Sequence, residues 1–195
     1  MINPRIFTGA IYRLASNWLQ KVDVVEYHER PIRYLEIGAL YGANVISVAN
    51  SYGIHPESEL HCIDPWIKYN EYHEYSNHND IYEACLENIN KSGQSDKIRI
   101  HRGFSNEEVP KFLDNYFDII YIDGNHEPEF VMEDAVLSFR KLKNDGIMIF
   151  DDYGWGGEDL TQSGIDGFIK GYHKRITVLG FHNDQMFIKK NSGNI

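Results

Sequence analysis

The sequence predicts a doubly wound α/β domain, with a mostly parallel, seven-stranded sheet whose final strand is antiparallel. Three observations carry this expectation. Short apolar runs alternate with amphipathic stretches along the chain. The middle runs, FDIIYI and GIMIF, are mostly apolar rather than alternating, as strands are when helices cover both faces of a sheet. The last two runs are separated only by His182, Asn183 and Asp184, which is too short for a crossover and implies a hairpin.

Each element follows from local signals. Asn3 and Pro4 read as a cap and first helical position, followed by apolar residues at Ile6, Ala10, Leu14, Trp18 and Val22. That spacing predicts an amphipathic helix in an N-terminal extension over residues 1–30. Pro31 precedes a strand at Ile32–Ile37, a turn from Gly38 to Gly42, and a helix at Val45–Tyr52 that Asn44 is placed to cap. Leu60–Ile63 reads as a strand, Asp80–Lys91 as a helix and Lys97–His101 as a strand. Ser105 to Glu108 has the spacing of a capping box. Phe117–Ile122 is a strand and Glu127–Lys143 a helix, stopped by Asn144, Asp145 and Gly146. Ile147–Phe150, a short helix near Ile165–His173, and strands at Ile176–Phe181 and Gln185–Lys190 complete one domain with a core over residues 32–190.

Composition narrows the function. The chain has 195 residues, enough for one sizeable core, and 42% are hydrophobic. Its net charge of −10 disfavours nucleic acid, which is bound by releasing counterions to Lys and Arg. The basic run KGYHKR at Lys170–Arg175 is short and suits a solvated helix end. Cys62 and Cys85 have no CxxC spacing, which argues against a zinc site and a disulfide framework and fits a reducing, cytoplasmic setting. No run reads as a signal peptide or a membrane span.

Ligands of such sheets bind beyond the carboxyl ends of the strands. Glu36, Asp64, Asp123 and the Asp151–Asp152 pair all fall at predicted strand ends. Like charges gather there only at an electrostatic cost, so their convergence points to a site. The first turn, EIGALYG, lets backbone approach a ligand closely but lacks the GxGxxG pyrophosphate fingerprint. An acid at Asp64 can hold both hydroxyls of a ribose, or cap the turn before Pro65.

Taken with CIDPW, IRIHRGFS, YIDGNH, FDDY and TQSGIDGFIKGYH, these stretches resemble class I S-adenosylmethionine-dependent methyltransferases over about residues 32 to 190. Within that class the chain most resembles small metal-dependent O-methyltransferases that modify sugar hydroxyls of macrolide and aminocoumarin glycosides. The resemblance implies the Rossmann-like methyltransferase fold and a set of roles. Glu36, Gly38 and Gly42 would line the methionine end of the cofactor, and Asp64 would take the ribose. Gly103, Phe104 and Ser105 would border the adenine, with Trp66 covering one face or lying in the core. Asp123, Asp151 and Asp152 would hold Mg²⁺ or Mn²⁺, with Asp123 and His126 as the catalytic pair and His126 the general base. Catechol-type relatives have Lys in place of His126 and Asn in place of Asp152, so the catechol reading is the alternative.

The residue types suit that chemistry. Mg²⁺ takes oxygen ligands in an octahedron and keeps positions open for an acceptor. It lowers the pKa of a bound hydroxyl, and a nearby imidazole takes the proton. His126 also reads as a helix cap, and the acid pair as a solvated loop. The aromatic stretch Lys68–Asp80 is placed to cover the site or to lie on the surface. A nicotinamide-dependent oxidoreductase or epimerase, and a non-catalytic cofactor-binding subunit, are further alternatives. The expected partner is a small-molecule or glycan hydroxyl acceptor, with no membrane partner, and the first helix is a candidate lid or homo-oligomer contact.

Overall fold

The computed structural model describes residues 15–67 and 78–193. Seven strands form one sheet in the order β3-β2-β1-β4-β5-β7-β6. They are β1 (Arg33–Ile37), β2 (Glu59–Asp64), β3 (Ile98–Arg102), β4 (Phe117–Ile122), β5 (Leu142–Phe150), β6 (Ile176–His182) and β7 (Gln185–Lys190). The first five are parallel, and β7 runs antiparallel to both β5 and β6. The helices are α1 (Val25–His28), α2 (Ala43–Ala49), α3 (His78–Ser92), α4 (Ser105–Glu108), α5 (Pro128–Lys141) and α6 (Thr161–Tyr172). This is the mostly parallel, doubly wound sheet read from the sequence.

The pleat explains why the strands carry apolar residues on both faces. Leu35, Ile120, Met148 and Ile188 stand in register across β1, β4, β5 and β7. All four belong to one buried core, shared with Val131 and Phe139 of α5 and Phe168 of α6. Their strand neighbours Tyr34, Ile119, Ile149 and Phe187 point the other way, into a second core with Val45 and Val48 of α2. Burying each such side chain is worth roughly 1.5–3 kcal/mol, which makes a slip of one residue prohibitive.

Several boundaries differ from the sequence reading. The expected start of the first helix lies outside the described residues, and Ala15–Gln20 is a 3₁₀ helix. Trp18 from that turn is nonetheless buried, with its ring 5.3 Å from Tyr52 and 5.5 Å from Tyr121. The extension is therefore anchored to the core at this point. Asn44 caps nothing: left-handed Gly42 is the N-cap of α2, and the Asn44 side chain turns to Tyr34 and Glu36. The capping box at Ser105 makes no side-chain cap bond either. α5 ends at Lys141 because Leu142 already pairs with Phe117, and the register slips before Ile119 meets Ile147. The closing turn contains only Asn183 and Asp184, both at positive φ as a tight hairpin turn requires.

Sheet order reverses between β1 and β4, the switch point at which such folds bind ligands. There the ladder continues one residue beyond the strands. Gly103 N–H donates to Asp64 O, Gly38 N–H to Ile63 O, Asp123 N–H to Ile37 O and Asp151 N–H to Ile122 O. These four bonds fix the chemistry-bearing residues along one edge.

Candidate functional site

The first turn is pressed against the end of β4. Gly38 has φ +87°, and a Cβ there would lie 1.7 Å from the carbonyl oxygen of Asp123. Only glycine lets the two strand ends come this close. Beside it, Glu36 is buried in a polar knot. Tyr34 Oη donates to Glu36 Oε2 at 2.7 Å, and Asn44 Nδ2 donates to the same oxygen at 3.0 Å. Burial pushes the Glu36 carboxyl up to about 8, against the bonds from Tyr34, Asn44 and the Val45 N–H.

Asp64 works as a clasp between two loops. Its Oδ2 accepts the Leu40 N–H at 2.9 Å and its Oδ1 accepts the Trp66 N–H at 2.7 Å. Trp66 returns the tie by donating Nε1–H to Leu40 O at 2.8 Å, and is itself buried. The sequence alternatives of turn cap and core tryptophan thus both describe real contacts. Leu40 and Trp66 both hold left-handed φ values, a strained arrangement of the kind that collects at ligand sites.

Gly103, Phe104 and Ser105 follow β3. Phe104 is 44% exposed at this edge, an apolar face uncovered where the adenine is expected. The Ser105 hydroxyl turns inward and bonds Asp134 of α5. Asp134 is only 3% exposed, and burial pushes its carboxyl up to about 7, against the Ser105 bond.

Beyond β4 and β5 lies the acidic centre. Asp123, His126 and Asp152 each offer a ligand atom within 4.8 Å of the others. His126 Nε2 and Asp152 Oδ2 are 3.1 Å apart. Asp152 sits at φ 53°, and Thr161 Oγ1, at the start of α6, donates to its carbonyl at 2.6 Å. Asp123 and Asp152 offer the carboxylate oxygens that Mg²⁺ and Mn²⁺ favour, whereas the imidazole is not a donor those ions prefer. Asp151, expected as the third acid, is placed differently. It borders the same cleft, but it is buried and its Oδ1 accepts Gln185 Nε2–H at 3.0 Å. The structure therefore brings His126 into the cluster with Asp123 and Asp152, and sets Asp151 beside it against β7.

Three side chains with a place at this edge were not read as site residues in the sequence. Asn44 reads in sequence as a cap. Trp155 lies in a Gly-rich loop with no local signal, yet its ring lies 4.5 Å from that of His126, and it is 46% exposed. Asp134 was hidden in a helix, although its place among Val131, Ala135 and Ser138 on one helical stripe marks it as an acid facing inward.

Comparison with known proteins identifies the fold. Residues 35–153 match the model of the family described as Methyltransferase domain, which is more than half of the chain. The chain belongs to this family. It is an S-adenosylmethionine-dependent methyltransferase. No curated protein matches by sequence. Among solved structures it is similar to the O-methyltransferase TomG of Streptomyces achromogenes, involved in tomaymycin synthesis and solved with S-adenosylmethionine. That likeness has 16% identity and a TM-score of 0.67, covering 91% of this chain and 80% of that one. An O-methyltransferase of Bacillus cereus in complex with S-adenosylhomocysteine also has 16% identity and a TM-score of 0.67, covering 93% and 84%. The O-methyltransferase NovP has 15% identity and a TM-score of 0.67, covering 90% and 78%. Family membership sets the nicotinamide reading aside. Among the described residues no helix is long and apolar enough to cross a membrane.

Proposed function

We propose that this methyltransferase acts on oxygen, moving a methyl group to a hydroxyl of a sugar or similar polyhydroxylated small molecule with a divalent cation at the site. The observation that carries the reading is the cluster of Asp123, His126 and Asp152 at the strand edge where the cofactor is expected. Bound S-adenosylmethionine supplies the methyl group, and bound Mg²⁺ or Mn²⁺ makes an acceptor hydroxyl more acidic. Asp123 and Asp152 are the residues to hold the cation, with Asp151 the third acid beside them. His126 takes the acceptor's proton on its ring, and Asp152, whose Oδ2 lies 3.1 Å from Nε2, stabilises the imidazolium that results. Glu36, Gly38 and Gly42 face the methionine end, Asp64 the ribose, and Gly103 to Ser105 the adenine. Alignment of acceptor oxygen with the methyl group supplies much of the rate.

Trp155 supports an acceptor with an apolar ring face. Its half-exposed indole borders His126, and a flat aromatic surface with one polar edge suits a partly hydrophobic sugar. The alternative acceptor is a catechol. TomG and NovP, both described as O-methyltransferases, share the fold.

The test is calorimetric titration of Mg²⁺, then Mn²⁺, into protein saturated with S-adenosylhomocysteine, for wild type and Asp152→Ala. Binding that the substitution abolishes supports the metal site. No binding in wild type would remove the metal from the reading. Methyl transfer is then assayed by mass spectrometry against a panel of glycosides and catechols. Turnover of catechols alone would move the assignment to the alternative.

A further inference from the structure

We propose that Asp134 is a positioning residue that sets the spacing between the Gly103–Ser105 turn and the Asp123–His126 loop. The inference rests on the cofactor assignment above and extends it to a residue that touches no ligand. The two loops belong to opposite ends of the cofactor: one borders the adenine, the other the reacting methyl group. In the described structure Asp134 stands between them. Its carboxyl bonds the Ser105 hydroxyl at the first turn of α4. On its other side it abuts Gly124, where a Cβ would come within 3.0 Å of Asp134 Oδ2 and 3.2 Å of Ile37 Cγ2. The loop that carries Asp123 and His126 is therefore seated directly on this carboxyl and on β1.

An acid is a poor choice for this position if packing alone matters. Asp134 lies on the buried stripe of α5 with Val131, Ala135 and Ser138. Removing a carboxyl from water is costly, and replacing both partners of a buried polar pair by apolar groups of similar volume often matches the original stability. A directional bond to Ser105 gives what an apolar contact lacks, a fixed register between the two loops. The residue thus trades stability for geometry at the point where the cofactor must span both loops.

The two properties should separate on mutation. S-adenosylhomocysteine binding is measured by calorimetry, and melting by circular dichroism, for wild type, Asp134→Leu, Asp134→Asn, Ser105→Ala and the Ser105→Ala/Asp134→Leu pair. Asp134→Leu is expected to remain folded while binding about tenfold more weakly, and the pair, which removes both partners, to melt no lower than Asp134→Leu alone. Asp134→Asn, whose amide oxygen still accepts from Ser105, should stay within about threefold of wild type. Ser105→Ala breaks the same bond from the surface side without disturbing the core. The double variant should bind no more weakly than the worse single one, because both remove one interaction. Wild-type affinity in a folded Asp134→Leu protein, or additive losses in the pair, would overturn the proposal. A wild type that fails to bind S-adenosylhomocysteine would instead overturn the cofactor assignment on which it rests.

Discussion

Replacing Gly38 by alanine tests whether the first turn and the end of β4 are held together as described. The new Cβ would stand 1.7 Å from Asp123 O and 2.4 Å from Asp123 C, both backbone atoms that no side-chain rotation can relieve. The turn and the strand end must part. Parting them breaks or stretches the Gly38 N–H to Ile63 O bond of 2.9 Å and the Asp123 N–H to Ile37 O bond of 2.8 Å. Each such bond contributes about 0.5–1.5 kcal/mol net. Holding a non-glycine residue at φ +87° adds about 1–2 kcal/mol. The total is about 2–5 kcal/mol, a large part of the roughly 5–15 kcal/mol that holds a domain folded.

Gly93→Ala provides the control. Gly93 also has positive φ, at +71°, but a Cβ there meets nothing within 4 Å. It should lose only the conformational part, about 1–2 kcal/mol. For a chain of this size 1 kcal/mol corresponds to about 2–4 °C in melting temperature. Thermal melts of the three proteins under identical conditions are therefore expected to rank wild type, Gly93→Ala, then Gly38→Ala. Equal melting temperatures for the two variants would show that the close approach contributes nothing, and would refute the reasoning. Gly38→Ala should also lose metal binding, since Asp123 is displaced.

Other consequences are open to measurement. Asp123→Ala should abolish divalent-cation binding in calorimetry as fully as Asp152→Ala; retained affinity would place the ion elsewhere. For Glu36 the folded pKa is raised by burial to about 8 from 4.5, so its proton is kept in the folded state between those values and lost in the unfolded chain. Its effect on stability is most favourable below pH 4.5 and declines as pH rises toward 8, so Glu36→Gln should gain on wild type across that window in urea titrations. A gap independent of pH would argue that Glu36 is ionised throughout. Asp118 accepts 2.8 Å bonds from Arg30 Nη1, the Arg33 N–H and Lys143 Nζ, so Asp118→Ala should cost about 2–4 kcal/mol in chemical denaturation. Burial raises its carboxyl, but the bonds from Lys143, Arg33 and Arg30 outweigh that and hold it below 3.8. Its contribution is thus present above pH 3.8 and fades as pH falls through the lower folded value, so wild type should lose its advantage in acid.

How much of this was legible in the sequence depended on whether a signal was local. β4 and β7 begin and end where the sequence places them, since burial on both faces leaves no choice of register. The strand-end acids were visible for the same reason: an acid after a buried run has only the edge to go to. Asn44 misled because Asn is a favoured cap in isolation, whereas here the glycine two positions earlier turned the chain and freed the amide for Glu36. Ser105 misled similarly, its local capping pattern losing to a carboxyl 29 positions away in the chain. The separation of Asp151 from its neighbour depends on Gln185, which only the return of β7 brings within 3.0 Å. No pattern around residue 151 announces that partner.

That return strand has a consequence for how the protein comes into being. β7 enters between β5 and β6, where Gln185 reaches both Asp151 and Tyr121, and Tyr153 N–H donates to Asp184 O at 2.8 Å. Until the hairpin docks, the outer side of β5 is an open edge, and the loop bearing Asp152 and Trp155 lacks one of its anchors. During synthesis the parallel strands through β5 can pair before β6 and β7 emerge, but the acidic edge cannot take its final shape. A nascent chain stalled before the hairpin would carry every strand-end acid but lack the Gln185 bond to Asp151 and the Asp184 anchor of the Tyr153 loop. These last contacts at the edge form only when the hairpin closes.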